Sequence, residues 1–198
     1  DLNTSSVNGM RYYHVDDARA FPSITTILSN SGDKSWLEAW RNKVGHEEAE
    51  RIRIEATEQG SKVHDALEFF YANKHTLNTF YESYDVSKLS KNEDALFNQM
   101  VAVCKGHIIT EAHEIALYSM KMKFAGRCDV VGKWNGYDAI IDWKTSGKVK
   151  KEGWITDYKI QCTAYAIAHN EMFGTDIKYF VIVIGVTGQD KAQVFIGN

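Results

Sequence analysis

The chain has one proline, Pro22, and three cysteines, Cys104, Cys128 and Cys162, in 198 residues. So little proline excludes collagen-like and proline-rich linker readings. An odd number of cysteines without a C-x-x-C pair is a poor fit to a disulfide scaffold, a zinc ribbon or a cysteine-ligated iron–sulfur cluster. Reduced, partly buried thiols in a cytosol-like compartment are expected instead. No apolar run approaches the roughly 20 residues of a membrane helix. The longest candidate, Tyr179 to Val186, suits a buried strand. No signal-peptide pattern is visible, and the first residue is Asp1, as in a processed or trimmed chain.

An overall basic excess is also lacking. Lysine and arginine total 23 against 26 acidic residues, a formal charge of −3, which gives no global signal for nucleic acid. The distribution is uneven, however. Residues 1–100 carry 11 basic and 16 acidic groups, and residues 101–198 carry 12 and 10. Lys144, Lys148, Lys150 and Lys151 cluster with no acid until Glu152. Such a patch binds phosphates even on an acidic protein, because salt confines each charge to about 10 Å. A solvated lysine-rich loop is the plainer reading.

What remains is ordinary globular composition, 44% hydrophobic and 25% charged, which argues against disorder. At roughly 150 residues per domain the chain reads as one domain, 1–198. Residues 1–110 are expected to be mainly helical. Ser23 caps a short helix from Ile24 to about Ser29. Trp36, Leu37, Trp40 and Val44 form an amphipathic stripe. A longer helix runs from Glu47 to Ala72, with a break at Gly60 expected. Residues 73–91 have no clear period and read as irregular, and a further helix covers Asn92 to about Ile109. Residues 111–198 change character. Strands are expected over Ile115 to Met122, Phe124 to Lys133 and Tyr137 to Lys144, the last two joined by the Asn135-Gly136 turn. A crossover helix from Ile155 to Phe173 precedes strands at Tyr179 to Val186 and Ala192 to Ile196. The fold class is α/β: a central β-meander plus two C-terminal strands, flanked by helices.

The informative residues lie on the meander. Alternation along a strand puts Asp142 and Lys144 on one face and Ile141 and Trp143 on the other. The Asn135-Gly136 hairpin brings Asp129 beside Asp142. Two neighbouring carboxylates repel unless something offsets them. A divalent cation does so, and carboxylates, the Trp143 carbonyl and water suit Mg²⁺. Lys144 then holds the attacking water or stabilises developing charge. The plain alternative is a surface cross-strand ion pair. The D-x-K triplets at Asp157 and Asp176 do not fit, since neither has an acid on a partner strand. His64 and Glu68 share a helix face at four-residue spacing, as do Gln161 and Tyr165.

Taken in order, His64, Gly126-Arg127-Cys128-Asp129, Asp142-Trp143-Lys144 and Gln161-Cys162-Thr163-Ala164-Tyr165 resemble the motifs of the PD-(D/E)xK nuclease superfamily, in its RecB-like branch. Phe21-Pro22-Ser23-Ile24-Thr25-Thr26-Ile27-Leu28 and Trp40-Arg41 resemble a subgroup of phage and mitochondrial exonucleases. The resemblance spans residues 20–185. It implies a restriction-endonuclease-like core with a mixed sheet. His64, Asp129, Asp142 and the Trp143 carbonyl would hold metal, and Asp129, Asp142 and Lys144 would be catalytic. Gln161 and Tyr165 would support the site or DNA. Glu114 matches an acid often seen before the first strand. Tyr118, Ser119, Thr145, Ser146 and Lys148 would contact phosphates.

The implied activity is a Mg²⁺-dependent DNA exonuclease, with Mn²⁺ able to substitute, acting on single strands or free ends. Without the cysteines of some RecB-like relatives, no iron–sulfur cluster is expected. The setting would be the bacterial host cytoplasm for a phage protein, or the mitochondrial matrix. No membrane is implicated. A flap or junction endonuclease of the same fold and a catalytically silent nucleic-acid-binding module are the alternatives.

Overall fold

A computed structural model describes residues 2–32 and 35–198. The chain opens with a three-stranded antiparallel sheet: β1 (Asn3–Val7), β2 (Met10–Asp16) and β3 (Arg19–Pro22). The mainly helical reading of the first 110 residues is therefore corrected at its start. The local signal is Asn8-Gly9, at φ 51° and 77°, which pairs Val7 with Met10 across a two-residue hairpin. The helices follow as α1 (Ile24–Asn30), α2 (Ser35–Val44) and α3 (His46–Ala72). Ser23 caps α1 by accepting a hydrogen bond from the Thr26 N–H at 3.0 Å.

Helix α3 does not break at Gly60. Its buried stripe of Val63, Ala66, Leu67 and Phe70 holds it against the sheet, and such packing outweighs one weak helix former. The segment expected to be irregular contains α4 (Leu77–Ser83), started by a Thr76–Thr79 capping box and anchored by buried Phe80. Helix α5 (Lys91–Cys104) starts with a Ser90–Glu93 capping box. It ends short of Ile109 because Ile108 already belongs to a strand.

The core is one five-stranded sheet of β4 (Ile108–Ser119), β5 (Phe124–Trp134), β6 (Tyr137–Ser146), β7 (Tyr179–Val186) and β8 (Gln193–Gly197), in that spatial order. β6 and β7 are parallel and the other neighbours antiparallel. The parallel pair requires a crossover, supplied by α6 (Thr156–Phe173). Strict alternation sorts the central strands. Ile141, Trp143, Val181 and Val183 face α3 and α5, whereas Ile140, Ile182 and Ile184 face α6. Both faces are covered, so these strands read as continuous apolar runs. This is a restriction-endonuclease-like α/β arrangement. The N-terminal sheet packs on β5 through Tyr13, Phe21 and Ala125, and Ser23 bridges to Ala125. The three cysteines are buried thiols, and burial pushes Cys104 up to about 12.

Long β4 follows β5 only by shifting register between Thr110 and Ala112. At that shift a Cβ on Gly132 would lie 2.2 Å from the Ile109 carbonyl oxygen. Backbone cannot rotate away as a side chain would. Gly132→Ala is expected to destabilise the fold by about 2–3 kcal/mol in urea unfolding. Gly147→Ala, with nothing within 4 Å, should stay within about 0.5 kcal/mol. Equal losses in the two variants would contradict this account of the bulge.

Candidate active site

The site forms where β5 and β6 part. Their backbone pairing runs from the turn to Val130 opposite Ile141 and ends there. Two residues on, the Trp143 peptide is held by side chains. Its N–H donates to Asp129 Oδ2 at 2.8 Å, and its carbonyl accepts from His64 Nε2 at 2.8 Å. The Trp143 indole stacks on Tyr71 of α3, with ring centres 5.6 Å apart and planes 12° apart. That contact fixes β6 against the helix that carries His64.

With Nε2 engaged by the carbonyl, Nδ1 is the ring nitrogen left for the cleft. It faces Asp129 Oδ1 at 3.8 Å. Glu114 joins them from β4. Its neighbours His113 and Ile115 pair with Val130 and Cys128, while Glu114 itself sits at φ 48°, a strained conformation of the kind found at functional sites. His64, Glu114 and Asp129 each offer a ligand atom, all within 4.8 Å of one another. They line a cleft of about 430 Å³ with Glu68, Asp65, Arg11 and Arg127. Burial, then the charges of Asp129 and Glu68, push the Glu114 carboxyl up to about 7.

Asp142 turns toward α6. It is 1% exposed and forms an ion pair with Lys144 Nζ at 2.5 Å. The approach lacks hydrogen-bond geometry, and Asp142 Oδ1 has no partner among the described residues. Burial raises its carboxyl to about 6, opposed by Lys144 and reinforced by Asp129. Burial works against the Lys144 ammonium, but Asp142 and Asp129 outweigh it and hold its pKa above the usual lysine value. Lys144 also lies 5.2 Å from the Tyr158 ring centre.

The donor chemistry fits a hard divalent cation. Two carboxylates and an imidazole nitrogen face one another, and a buried carboxylate oxygen nearby is orphaned. Oxygen-rich sites of this kind suit Mg²⁺ or Mn²⁺. The geometry differs from the sequence expectation in two places. Asp142 lies outside the three-residue cluster because strand alternation puts it on the α6 side with Ile140, where it pairs with Lys144. The Trp143 carbonyl accepts from His64 Nε2 and so orients the ring, as carbonyls behind metal-binding histidines commonly do.

Gln161 donates to the Tyr165 hydroxyl at 3.2 Å, close enough to Asp142 for its charge to act on both Tyr165 and Cys162. Tyr165 lies flush on Gly126, where a Cβ would come within 2.6 Å of its ring. The glycine of one motif and the tyrosine of the other are thus a single packing unit. Thr145 faces Gly60 of α3. Ser146 closes a turn, donating to the Lys148 carbonyl at 2.7 Å, and Lys148 is exposed.

Ser119 is the correction. It lies at the far end of β4, fully buried, and its hydroxyl donates to Glu171 Oε2 at 2.7 Å. There it anchors the turn into β5, since the Met122 N–H donates to it at 3.0 Å. Tyr118 packs beside the N-terminal sheet. Neither is brought to the cleft.

Arg11, Tyr13 and Asp65 line the cleft without having been singled out by sequence. Asp65 follows His64 on α3, at four-residue spacing from Ser61. Arg11 and Tyr13 come from the N-terminal sheet, whose only cue is the Asn8-Gly9 turn. The other D-x-K triplets stand apart: Lys178 pairs with exposed Asp176 at 2.9 Å, and Lys159 with Glu152 at 2.7 Å.

The chain belongs to the PD-(D/E)XK nuclease superfamily, whose family model matches residues 39–192. It is similar to mitochondrial genome maintenance exonuclease 1 of Mus musculus, with 27% identity over 180 residues, covering 83% of this chain and 49% of that protein. The Homo sapiens protein of the same name is 27% identical over 173 residues, covering 82% and 48%. The chain thus spans about half the length of these curated relatives. No helix among the described residues is long and apolar enough to cross a membrane.

The electrostatics predict a pH dependence. Asp142 and Glu114 have folded values of about 6 and 7 against ordinary values of 3.8 and 4.5. The fold favours their neutral acids. That stabilisation is complete below about pH 4 and is lost as pH rises through 6 and 7. At 1.36 kcal/mol per unit the loss is on the order of 1–3 kcal/mol per group, less for the more exposed Glu114. Metal-free protein should therefore melt at lower temperature near pH 8 than near pH 5. Millimolar Mg²⁺ should restore stability mainly at the higher pH, and Asp142→Asn should flatten the metal-free profile. A flat profile in the unsubstituted protein would contradict the assignment.

Proposed function

We propose that this chain is a divalent-metal-dependent exodeoxyribonuclease that hydrolyses phosphodiester bonds in single-stranded DNA or at DNA ends, in DNA processing, recombination or degradation. The observation that carries the reading is the junction at Trp143. There His64, Glu114 and Asp129 offer ligand atoms beside a lysine held on a buried aspartate. Membership of the superfamily supports nuclease chemistry. The names of the two relatives support the exonuclease reading and the mitochondrial setting, with host cytoplasm the setting if the chain is phage-encoded.

His64, Glu114 and Asp129 would hold Mg²⁺ or Mn²⁺, with Asp142 Oδ1 as an adjacent free acceptor. A bound ion supplies charge neutralisation at a phosphodiester oxygen and activation of the attacking water. The chain's own residues do the rest. Lys144 remains an ammonium, so it does not take the water's proton; it donates to the negative charge that develops on the phosphate. Asp142 fixes that ammonium, and the Gln161–Tyr165–Gly126 packing fixes the strand beneath it. His64 is oriented by the Trp143 carbonyl. Glu114, raised to about 7 in the metal-free cleft, would be a ligand in its carboxylate form, which a nearby cation favours.

The test uses end-labelled linear and circular single-stranded DNA, with Mg²⁺ or with EDTA. Linear DNA should be digested only with metal and circles should survive. Lys144→Ala should lower kcat by about 10²-fold or more, the usual effect of removing a charge-stabilising donor, while still binding Mg²⁺. Asp142→Asn should also lower kcat. Cutting of circles would convert the reading to an endonuclease acting at flaps or junctions. Binding of DNA with neither cleavage nor metal uptake would make the chain a silent binding module.

A further inference from the structure

We propose that Trp36 and Trp154 form a stacking site for a nucleobase of single-stranded DNA, beside the catalytic lysine. The proposal deepens the nuclease reading and rests on it. Both indoles are mostly in water, with Trp36 67% and Trp154 61% exposed, although tryptophan ordinarily buries its large apolar face. They line the same cleft of about 590 Å³, together with Lys150, Thr156 and Asp157.

The cleft is built rather than incidental. The Lys150 N–H donates to Gln193 Oε1 at 2.7 Å, and Gln193 Nε2 returns a hydrogen bond to the Lys150 carbonyl at 2.9 Å. This pins the loop after β6 to β8. The Trp154 N–H donates to the Lys151 carbonyl at 2.9 Å, closing the turn that presents its ring. Lys151 Nζ stands 5.3 Å from the centre of that ring.

Position and charge identify the occupant. The pinned loop leaves β6 after Ser146, two residues beyond Lys144, and Lys144 packs on Tyr158, the residue following Asp157. Lys148, Lys150 and Lys151 precede any acid, and that acid, Glu152, is already paired with Lys159 at 2.7 Å. Of this loop's lysines Lys150 lines the cleft, together with Asp157, Lys151 stands against the Trp154 ring, and Lys148 is exposed nearby in the chain; two largely exposed indoles beside a lysine-bearing loop are the combination that binds single strands through stacking and phosphate neutralisation. A duplex keeps its base faces stacked and cannot offer one to an indole.

The test measures binding of a fluorescently labelled oligothymidylate, an abasic strand of equal length and a duplex, in EDTA so that nothing is cleaved. Mg²⁺-dependent digestion is measured in parallel. Trp154→Ala and Trp36→Ala should each weaken oligothymidylate binding by about tenfold, within the usual range for loss of a base–aromatic stack. Abasic and duplex binding should change less than twofold, and Trp154→Phe should recover most of the loss. Unchanged melting temperatures exclude misfolding. Wild-type-like oligothymidylate binding in both alanine variants, or an equal loss on the abasic strand, would overturn the stacking site while digestion by the unsubstituted protein left the nuclease reading standing. Failure of the unsubstituted protein to bind or digest DNA would overturn both.

Discussion

The Trp143 peptide is the point on which the site depends. An antiparallel ladder that continued past Val130 and Ile141 would have satisfied both strands with backbone partners and left no opening. Here the ladder stops and side chains take over: Asp129 accepts from the Trp143 N–H, and His64 donates to its carbonyl. A buried peptide group without partners costs on the order of 1–3 kcal/mol, so the parting of the strands persists only because these two side chains fill in. The same two bonds aim the imidazole and one carboxylate into a shared cleft. Stacking of the indole on Tyr71 makes helix and strand one rigid piece.

Around this junction the charges divide into two groups. Buried Asp142 and partly exposed Lys144 face each other as an ion pair on the α6 side. Glu114, Asp129 and Glu68 share the α3 side with His64 and Arg127, and burial, reinforced by the charges of Asp129 and Glu68, raises Glu114. An array of this kind stores repulsion that a cation relieves. Every element near it is shaped to that end: β4 is strained at Glu114, Gly126 is bare so that Tyr165 lies flush, and the N-terminal sheet supplies the far wall with Arg11 and Tyr13.

Much of this was legible from residues alone, for physical reasons. Strand alternation and the Asn135-Gly136 turn give the shared face of Asp142 and Lys144 and the approach of Asp129. Helical spacing gives His64 with Glu68, and Gln161 with Tyr165. β7 is read to its ends because an eight-residue apolar run has few alternatives. Other features had no local signature. The positive φ that swings Glu114 inward depends on the β4–β5 register. The carbonyl that orients His64 is backbone and invisible to side-chain pattern. Ser119 looked available for phosphate because nothing near it in sequence announces Glu171, which arrives from α6. Packing on α3 overrode Gly60 as a breaker. The Asn8-Gly9 hairpin and the Thr76 cap were local signals, but short elements around them lack the periodicity that makes longer ones stand out.

The central claim is that the parted strands create a cation site from His64, Glu114 and Asp129. Titration calorimetry with Mn²⁺, read alongside the electron paramagnetic resonance of the bound ion, tests it most directly. The account predicts saturable binding that Asp129→Asn or His64→Ala weakens at least about tenfold, with far-ultraviolet circular dichroism unchanged. Mn²⁺ binding of undiminished affinity in both variants, or no binding by the unsubstituted chain, would contradict it.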